Sequence, residues 1–279
     1  MTDTPATLTR VAQYSEQYSR TFLDAMSEVA HLVGRQGYLN SPQSVGKAWL
    51  EDSVFALASV TWYGFTIQDP AQQYWCLAAK AIGETASRRG LYAETLPQEI
   101  QQYFEYLCRS TAAYPTSYYR RRYPLEHINK GFMLTDLTRL HLKSENIIHL
   151  ARKQLSSNAS RAHFAIKANV RGMGDQATSS LLRDVAWVYD LAEELELALP
   201  SQAIYIQPIS MKVRRVAEFI WPDLKGKRDW RAIAHHIIEG CLKAHVSPIR
   251  FNQGALYLGT QDIPSFLHES VSTKSFQTS

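Results

Sequence analysis

Two glycines one residue apart, Gly172 and Gly174, stand between two amphipathic helical patterns, and this junction constrains the 279-residue chain more than any other feature. Upstream, residues from about Arg161 to Val170 read as a short helix. Downstream, Leu181, Val185, Val188, Ala192 and Leu195 recur at intervals of four and three. That is the stripe of a helix running from about Asp175 to Leu197. Glycine adopts a left-handed backbone without penalty and leaves room for a close neighbour, so Gly-x-Gly here predicts a tight hairpin between helices. The first N–H groups of the second helix have no acceptor within it and lie at the positive end of its dipole, which favours an anion. Arg171 adds a positive charge, and Ala177 is small enough for the two helices to approach. By itself the spacing fits a plain turn as well as an anion site.

Helical periodicity governs the remainder. Tyr14, Tyr18, Phe22 and Met26 recur every four residues, and Gly34 and Gly37 end the run. Ser41-Pro42 opens a helix, with proline preset for its first turn, and a long apolar helix is expected from about Lys47 to Thr66. Asp69-Pro70 restarts the pattern through Tyr74, Leu77, Ala78 and Ile82 to Arg88-Arg89-Gly90, and Leu96 to Ala113 forms another helix. Residues from Tyr114 to Phe132, with prolines at 115 and 124, read as a loop or a broken helix. Two further helices are expected at Leu134–Lys143 and Glu145–Leu155. Pro200 and Pro208 bracket a connection. Val213, Val216, Ala217 and Ile220 line a helix stopped by Trp221-Pro222. Asp229 caps a helix bearing Ile233, Ile237 and Cys241 on one face, and Ser247-Pro248 opens a last one, ended by Gly259. There is no strand-like run, fixed-period repeat or low-complexity tract. The Ser/Thr-rich last ten residues are expected to fray. The fold class is therefore all-α.

Apolar residues make up 45% of the chain, enough for a sizeable core, and the formal charge is only +4. That balance permits a nucleic-acid partner without requiring one, since the distribution of charge matters more than its sum. Cys76, Cys108 and Cys241 are far apart, with no Cys-x-x-Cys pair. A cysteine metal site or a disulfide framework is not expected, which suits a reducing compartment. The N-terminus lacks an apolar signal core, and no run is long enough to span a membrane. A cytoplasmic location is expected.

The order of these features resembles the helix-hairpin-helix DNA glycosylases, the base-excision superfamily with a Gly/Pro-rich loop and a catalytic aspartate. The family hairpin, roughly Leu-Pro-Gly-Val-Gly-x-Lys-x-Ala, is matched by Val170-Arg171-Gly172-Met173-Gly174-Asp175-Gln176-Ala177-Thr178. The family loop Pro-Val-Asp-x-His-Val-x-Arg-Val is matched by Pro208-Ile209-Ser210-Met211-Lys212-Val213-Arg214-Arg215-Val216. Ser247 to Leu256 is similar to the closing helix. The three blocks cover about residues 160–260. Their long separation looks most like the archaeal 8-oxoguanine (GO) glycosylases, whose early helix pair resembles Tyr63 to Ala79 with Gln72, Tyr74 and Trp75.

The resemblance implies a two-lobed helical fold with a central cleft, facing which the hairpin and the Ser210 loop would hold a flipped base. It also implies a backbone clamp on duplex DNA made by Arg171, Gly172, Met173 and Gly174. It departs from the family where the chemistry lies. The position of the Schiff-base lysine is Gln176, and an amide cannot form that adduct. The position of the aspartate is Ser210, whose neutral hydroxyl gives no ionic support to a sugar cation. Losing one such electrostatic group costs on the order of 3 kcal/mol. Lys212 could supply an amine, and Asp175 or Asp184 a carboxylate. The plainer readings are a helix-start acid for Asp175, a surface pairing with a neighbouring Arg for Asp184, and phosphate or solvent for Lys212.

Tyr118, Tyr119, Arg120, Arg121, Arg122 and Tyr123 interleave aromatics with cations, a pattern that suits phosphates and bases as well as a solvated charge run beside core aromatics. Arg214 is a further DNA-contact candidate. Trp49, Trp62, Trp75 and Trp187 are candidates for a base pocket or for core. His235 and His236 are adjacent and cannot both face one metal from a helix, and the other histidines lack metal-site spacing. No phosphate-binding P-loop and no Gly-x-Ser-x-Gly elbow occurs.

The expected organisation is an N-terminal helical lobe at 1–157, a hairpin-bearing lobe at 158–262 and a tail at 263–279. The expected partner is duplex DNA with an altered or extruded base, without cofactor or metal, and with lyase chemistry impaired or absent. A monofunctional glycosylase with a displaced acid and a helical scaffold for protein partners are the alternatives.

Overall fold

The computed structural model describes residues 4–65, 71–110, 126–198, 200–261 and 263. Among them every regular element is helical, as the periodicity requires. In chain order the α-helices are α1 (Thr4–Gln13), α2 (Ser15–Leu32), α3 (Pro42–Glu51), α4 (Ser53–Phe65), α5 (Ala71–Arg89), α6 (Leu96–Ser110), α7 (Glu126–Lys143), α8 (Ile147–Leu155), α9 (Ala159–Asn169), α10 (Asp175–Val188), α11 (Ala192–Ala198), α12 (Pro200–Ala203), α13 (Met211–Ile220), α14 (Trp230–Lys243) and α15 (Pro248–Leu258). None of the described helices is long and apolar enough to cross a membrane.

The helix ends follow local chemistry. Ser41 caps α3, and it and Ser44 bond each other's backbone N–H at 3.2 and 3.1 Å, a reciprocal capping box. Asn146, Asn158, Asp229 and Ser247 cap α8, α9, α14 and α15 through their side chains.

Three expectations need correction. The long helix expected from Lys47 is interrupted at Asp52, which is extended and accepts the Phe55 N–H at 2.9 Å, so one short acid ends α3 and starts α4. The helix expected from Asp175 to Leu197 stops at Val188, and Asp190 takes a left-handed φ of 55° before α11 begins. The apolar spacing runs across the break because Val188 and Leu195 are each buried, although they belong to different compact units. The segment from Glu126 to Phe132, expected as part of a loop or a broken helix, is the continuous first part of α7. Residues 114–125 lie outside the described residues.

The chain forms two compact units. One combines residues 1–22 with 192–279, and the other is the continuous stretch 23–191. In the discontinuous unit, Leu8 and Val11 of α1 share a core with Val213, Val216, Ile237, Phe251 and Leu258. A Cβ on Gly254 would lie 1.8 Å from the Val11 carbonyl oxygen, so α1 and α15 meet backbone to backbone there. Glu196 is buried, and its Oε1 accepts from the Ser247 hydroxyl at 3.1 Å and the Ile249 N–H at 2.6 Å, which caps α15 from a distant segment. Burial pushes its carboxyl up to about 7, against the lowering effect of those two bonds.

In the continuous unit, Trp49, Phe55, Ile82, Phe104 and Leu134 are fully buried. Arg183 and Asp184 are neighbours on α10 and form a buried ion pair, Nε to Oδ1 at 2.9 Å and Nη2 to Oδ2 at 3.2 Å. Asp184 therefore pairs with an arginine as expected, but in the interior rather than on the surface. His141 is buried as well. Its Nδ1 lies 3.4 Å from the Ile147 N–H and its Nε2 lies 2.7 Å from the Ser53 hydroxyl, which itself donates to the Glu145 carbonyl at 3.3 Å. This chain of donors fits the neutral ring with its proton on Nε2. Burial lowers the ring to about 4.

These two groups give the units opposite responses to pH. A histidine lowered from its ordinary 6.5 to about 4 contributes stability that is present above 6.5 and lost as the pH falls toward 4. A glutamate raised from 4.5 to about 7 contributes stability that is present below 4.5 and lost as the pH rises through 7. Each effect is worth about 3 kcal/mol. Glu196→Gln, which keeps an acceptor for Ser247 and Ile249, should abolish the loss on the neutral side in urea unfolding between pH 4 and 8. It should leave the acid-side loss unchanged, and a profile identical to the parent's would refute this role for Glu196.

Candidate nucleic-acid interface

A turn joins α9 to α10 at the two glycines, and Gly172 is the one whose backbone requires glycine. Helix α9 ends at Val170, which is extended, with its N–H on the Ile166 carbonyl at 3.0 Å. Gly172 has a φ of 82°, a left-handed value that a side chain rarely adopts. The Met173 N–H then bonds the Val170 carbonyl at 3.2 Å and closes the turn, with both side chains buried beneath it. Gly174 is the N-cap of α10, with an ordinary φ of −71° and no side-chain cap bond. A Cβ there would meet nothing within 4 Å. The N-terminus of α10 is thus uncapped and sterically open, and the packing of the fold does not explain a glycine at its cap.

The charges around this turn are already engaged. The Arg171 guanidinium grips the Asp136 carboxylate at 2.6 and 3.0 Å, and its N–H adds a third bond to Asp136 at 3.2 Å. The guanidinium also lies 4.7 Å from the ring centroid of Phe132. Partial burial works to raise the Asp136 carboxyl, but the bonds and the charge of Arg171 outweigh it and hold the group below the usual carboxylate range. On the other side Asp175 accepts from Lys167 Nζ at 2.7 Å, with the buried His163 Nε2 at 3.7 Å. Asp175 thus stands at a helix start, as its plainer reading has it, and is tied across the hairpin to α9. The anion-attracting groups left at the turn are the backbone N–H donors that open α10.

Gln176 is exposed on the first turn of α10. Ser210 belongs to the other compact unit. It is buried and caps α13, accepting the Val213 N–H at 3.2 Å. Lys212 is exposed. Arg214 bonds Glu218 Oε1 and the Lys227 carbonyl, each at 2.6 Å. Tyr119, Arg120, Arg121 and Arg122 lie outside the described residues. Of the tryptophans, Trp49 and Trp75 are core side chains, whereas Trp62 and Trp187 are half-buried. The three cysteines are free thiols, and among the described residues no group of three His, Cys, Asp or Glu could hold a metal ion.

One residue escaped the sequence reading. Gln207 directly precedes the Pro208–Ser210 loop and is fully buried, yet neither its Oε1 nor its Nε2 has a hydrogen-bond partner among the described residues. Asn252, on α15, donates to the adjacent Pro208 carbonyl at 3.1 Å and secures the loop. A buried amide left without partners costs about 1–3 kcal/mol. The only signal in the sequence was a polar residue between Ile206 and Pro208, which is too common a pattern to single out. Compared with protein-family models, curated proteins and solved structures, the chain has no match.

Gln207→Met fills the same space without unmet polar atoms and should raise the thermal midpoint, with a gain of about 1–3 kcal/mol in denaturant unfolding. A loss of stability would mean that the amide is satisfied in solution.

Proposed function

We propose that this chain binds duplex DNA through its sugar-phosphate backbone, using the turn from Val170 to Gly174 and the N-terminus of α10. It would recognise an altered or extruded base without lysine-dependent strand cleavage. The carrying observation is the open, uncapped helix start at Gly174. Unpaired backbone N–H groups at a helix N-terminus favour a phosphate, and a missing Cβ lets the phosphate approach them. Such contacts position a protein on DNA without reading sequence. The absence of lyase chemistry follows from Gln176, whose amide cannot form a Schiff base, and Ser210, whose hydroxyl is used as a helix cap.

Labelled duplexes carrying a normal, a modified or an abasic site, titrated at several salt concentrations, test the proposal. Gly174→Asp is the informative variant. Aspartate is a good N-cap and complements the helix dipole, so the fold should be as stable or more stable. Its carboxylate would occupy the phosphate position, so affinity for every duplex should fall by at least about tenfold, or about 1.4 kcal/mol. Unchanged affinity in this variant would overturn the clamp. Asp136→Asn weakens the hold on Arg171 and removes a negative charge beside the turn. It should strengthen binding severalfold at low salt, with the gain shrinking as salt rises. Weaker binding in that variant would mean that Arg171 acts only as a brace.

A further inference from the structure

We propose that the unit formed by residues 1–22 and 192–279 carries a second phosphate-binding surface for nucleic acid, built on the turn from Lys225 to Arg228 and the exposed side of α13. The inference rests on the nucleic-acid reading of the chain but not on the hairpin. Between Met211 and Arg250 nine lysines and arginines stand against four carboxylates, a net charge of +5. The whole chain carries +4, so this segment holds more than the entire positive excess.

Arg214 and Lys227 pair with Glu218 and Asp223, but five other cations of the segment are free of carboxylates. Lys212, Arg215, Lys225, Arg228 and Arg231 are exposed, and among the described residues none has a carboxylate within 4.0 Å. This contrasts with the hairpin, where Arg171 and Lys167 are each held by an aspartate. The turn that bears these cations is held in place. The Lys225 and Lys227 N–H groups bond back to the Pro222 and Leu224 carbonyls at 3.1 Å each. Arg214 reaches from α13 to the Lys227 carbonyl at 2.6 Å and fastens the turn to that helix. Gly226 has a φ of 83°, and a Cβ there would meet nothing within 4 Å, so the crest of the turn is open. Next to it, the Arg231 guanidinium lies 5.3 Å from the half-buried Trp230 ring.

The ligand these features fit is a phosphodiester backbone. Free cations on a fixed backbone exchange solvent counterions for phosphates at little ordering cost. A bilayer surface would ask for apolar side chains entering the lipid beside the cations. The exposed run 225–229 reads Lys-Gly-Lys-Arg-Asp and offers none, and on α13 Met211 is the single exposed large apolar side chain among the described residues.

The test uses the full chain with Arg215→Gln, Lys225→Gln and Arg228→Gln combined, alongside Gly174→Asp, each titrated with a labelled duplex from 50 to 200 mM salt. The three charges bond to no carboxylate among the described residues, so the melting temperature should hold. Losing three phosphate contacts should lower the slope of log K against log salt by about 2–3 and weaken binding at low salt by at least about tenfold. An unchanged slope in the triple variant overturns this surface, whatever Gly174→Asp does. If Gly174→Asp binds normally while the triple variant fails, the hairpin reading falls and this one stands. Absence of binding by the parent chain at 50 mM salt overturns both. Equal binding of the parent chain to phosphatidylserine vesicles or to poly-glutamate, lost in the triple variant, overturns the assignment to nucleic acid.

Discussion

The contact on which the rest of the architecture depends is the crossing of α1 over α15. Gly254 has no side chain, and a Cβ would overlap the Val11 carbonyl oxygen. Tyr14 and Tyr257 stack beside the crossing with ring centroids 5.9 Å apart, and Leu8 and Val11 enter the core of the C-terminal helices. The two ends of the chain thereby become one compact unit, and residues 23–191 form another between them in sequence. A backbone-to-backbone contact of this kind tolerates no added methyl group, because neither carbonyl nor helix axis can move without breaking helical bonds.

The fold handles its ionic groups in three ways. The Arg183–Asp184 pair is fully buried, where the loss of either partner would strand a charge and cost several kcal/mol. At the hairpin, Arg171 and Lys167 are neutralised by Asp136 and Asp175, so the attraction for an anion at Gly174 comes from peptide dipoles. Around α13 and the 225–228 turn, Arg214 and Lys227 pair with Glu218 and Asp223, while Lys212, Arg215, Lys225 and Arg228 are exposed with no carboxylate within 4.0 Å among the described residues. Peptide N–H donors fix where a phosphate sits, whereas free cations supply attraction that depends on salt. Under the proposed function the first surface would contribute register and the second salt-dependent affinity.

Both positions to which the glycosylase resemblance would assign base-excision chemistry carry other groups. Gln176 lacks an amine, and Ser210 is occupied as a helix cap. The Gln207 amide, without a hydrogen-bond partner among the described residues, lies directly before the same loop. Under the proposed function binding would be separable from catalysis, because the N–H donors of a helix start belong to the backbone and survive most side-chain replacements, while a Schiff base or an ionic stabiliser does not.

The sequence by itself determined what depends on neighbours along the chain. Ser41-Pro42, Asp229 and Ser247-Pro248 declared their helix starts because a cap bonds N–H groups two or three residues away. Gly172 declared its turn because a left-handed φ is a single-residue property. Periodicity read correctly as all-helical, yet it ran through the breaks at Asp52 and Asp190, since burial continues on both sides of each. Only the tertiary structure decided matters set by residues far apart in the chain. It joined α1 to α15, tied the exposed Arg171 to Asp136, buried the Arg183–Asp184 pair and left the Gln207 amide without a hydrogen-bond partner among the described residues. It also left Gly174 open, which keeps that helix start available to a phosphate. The physical reason is range: capping and backbone torsion act within a turn of helix, whereas charge pairing, desolvation and steric openness depend on which distant segment arrives alongside.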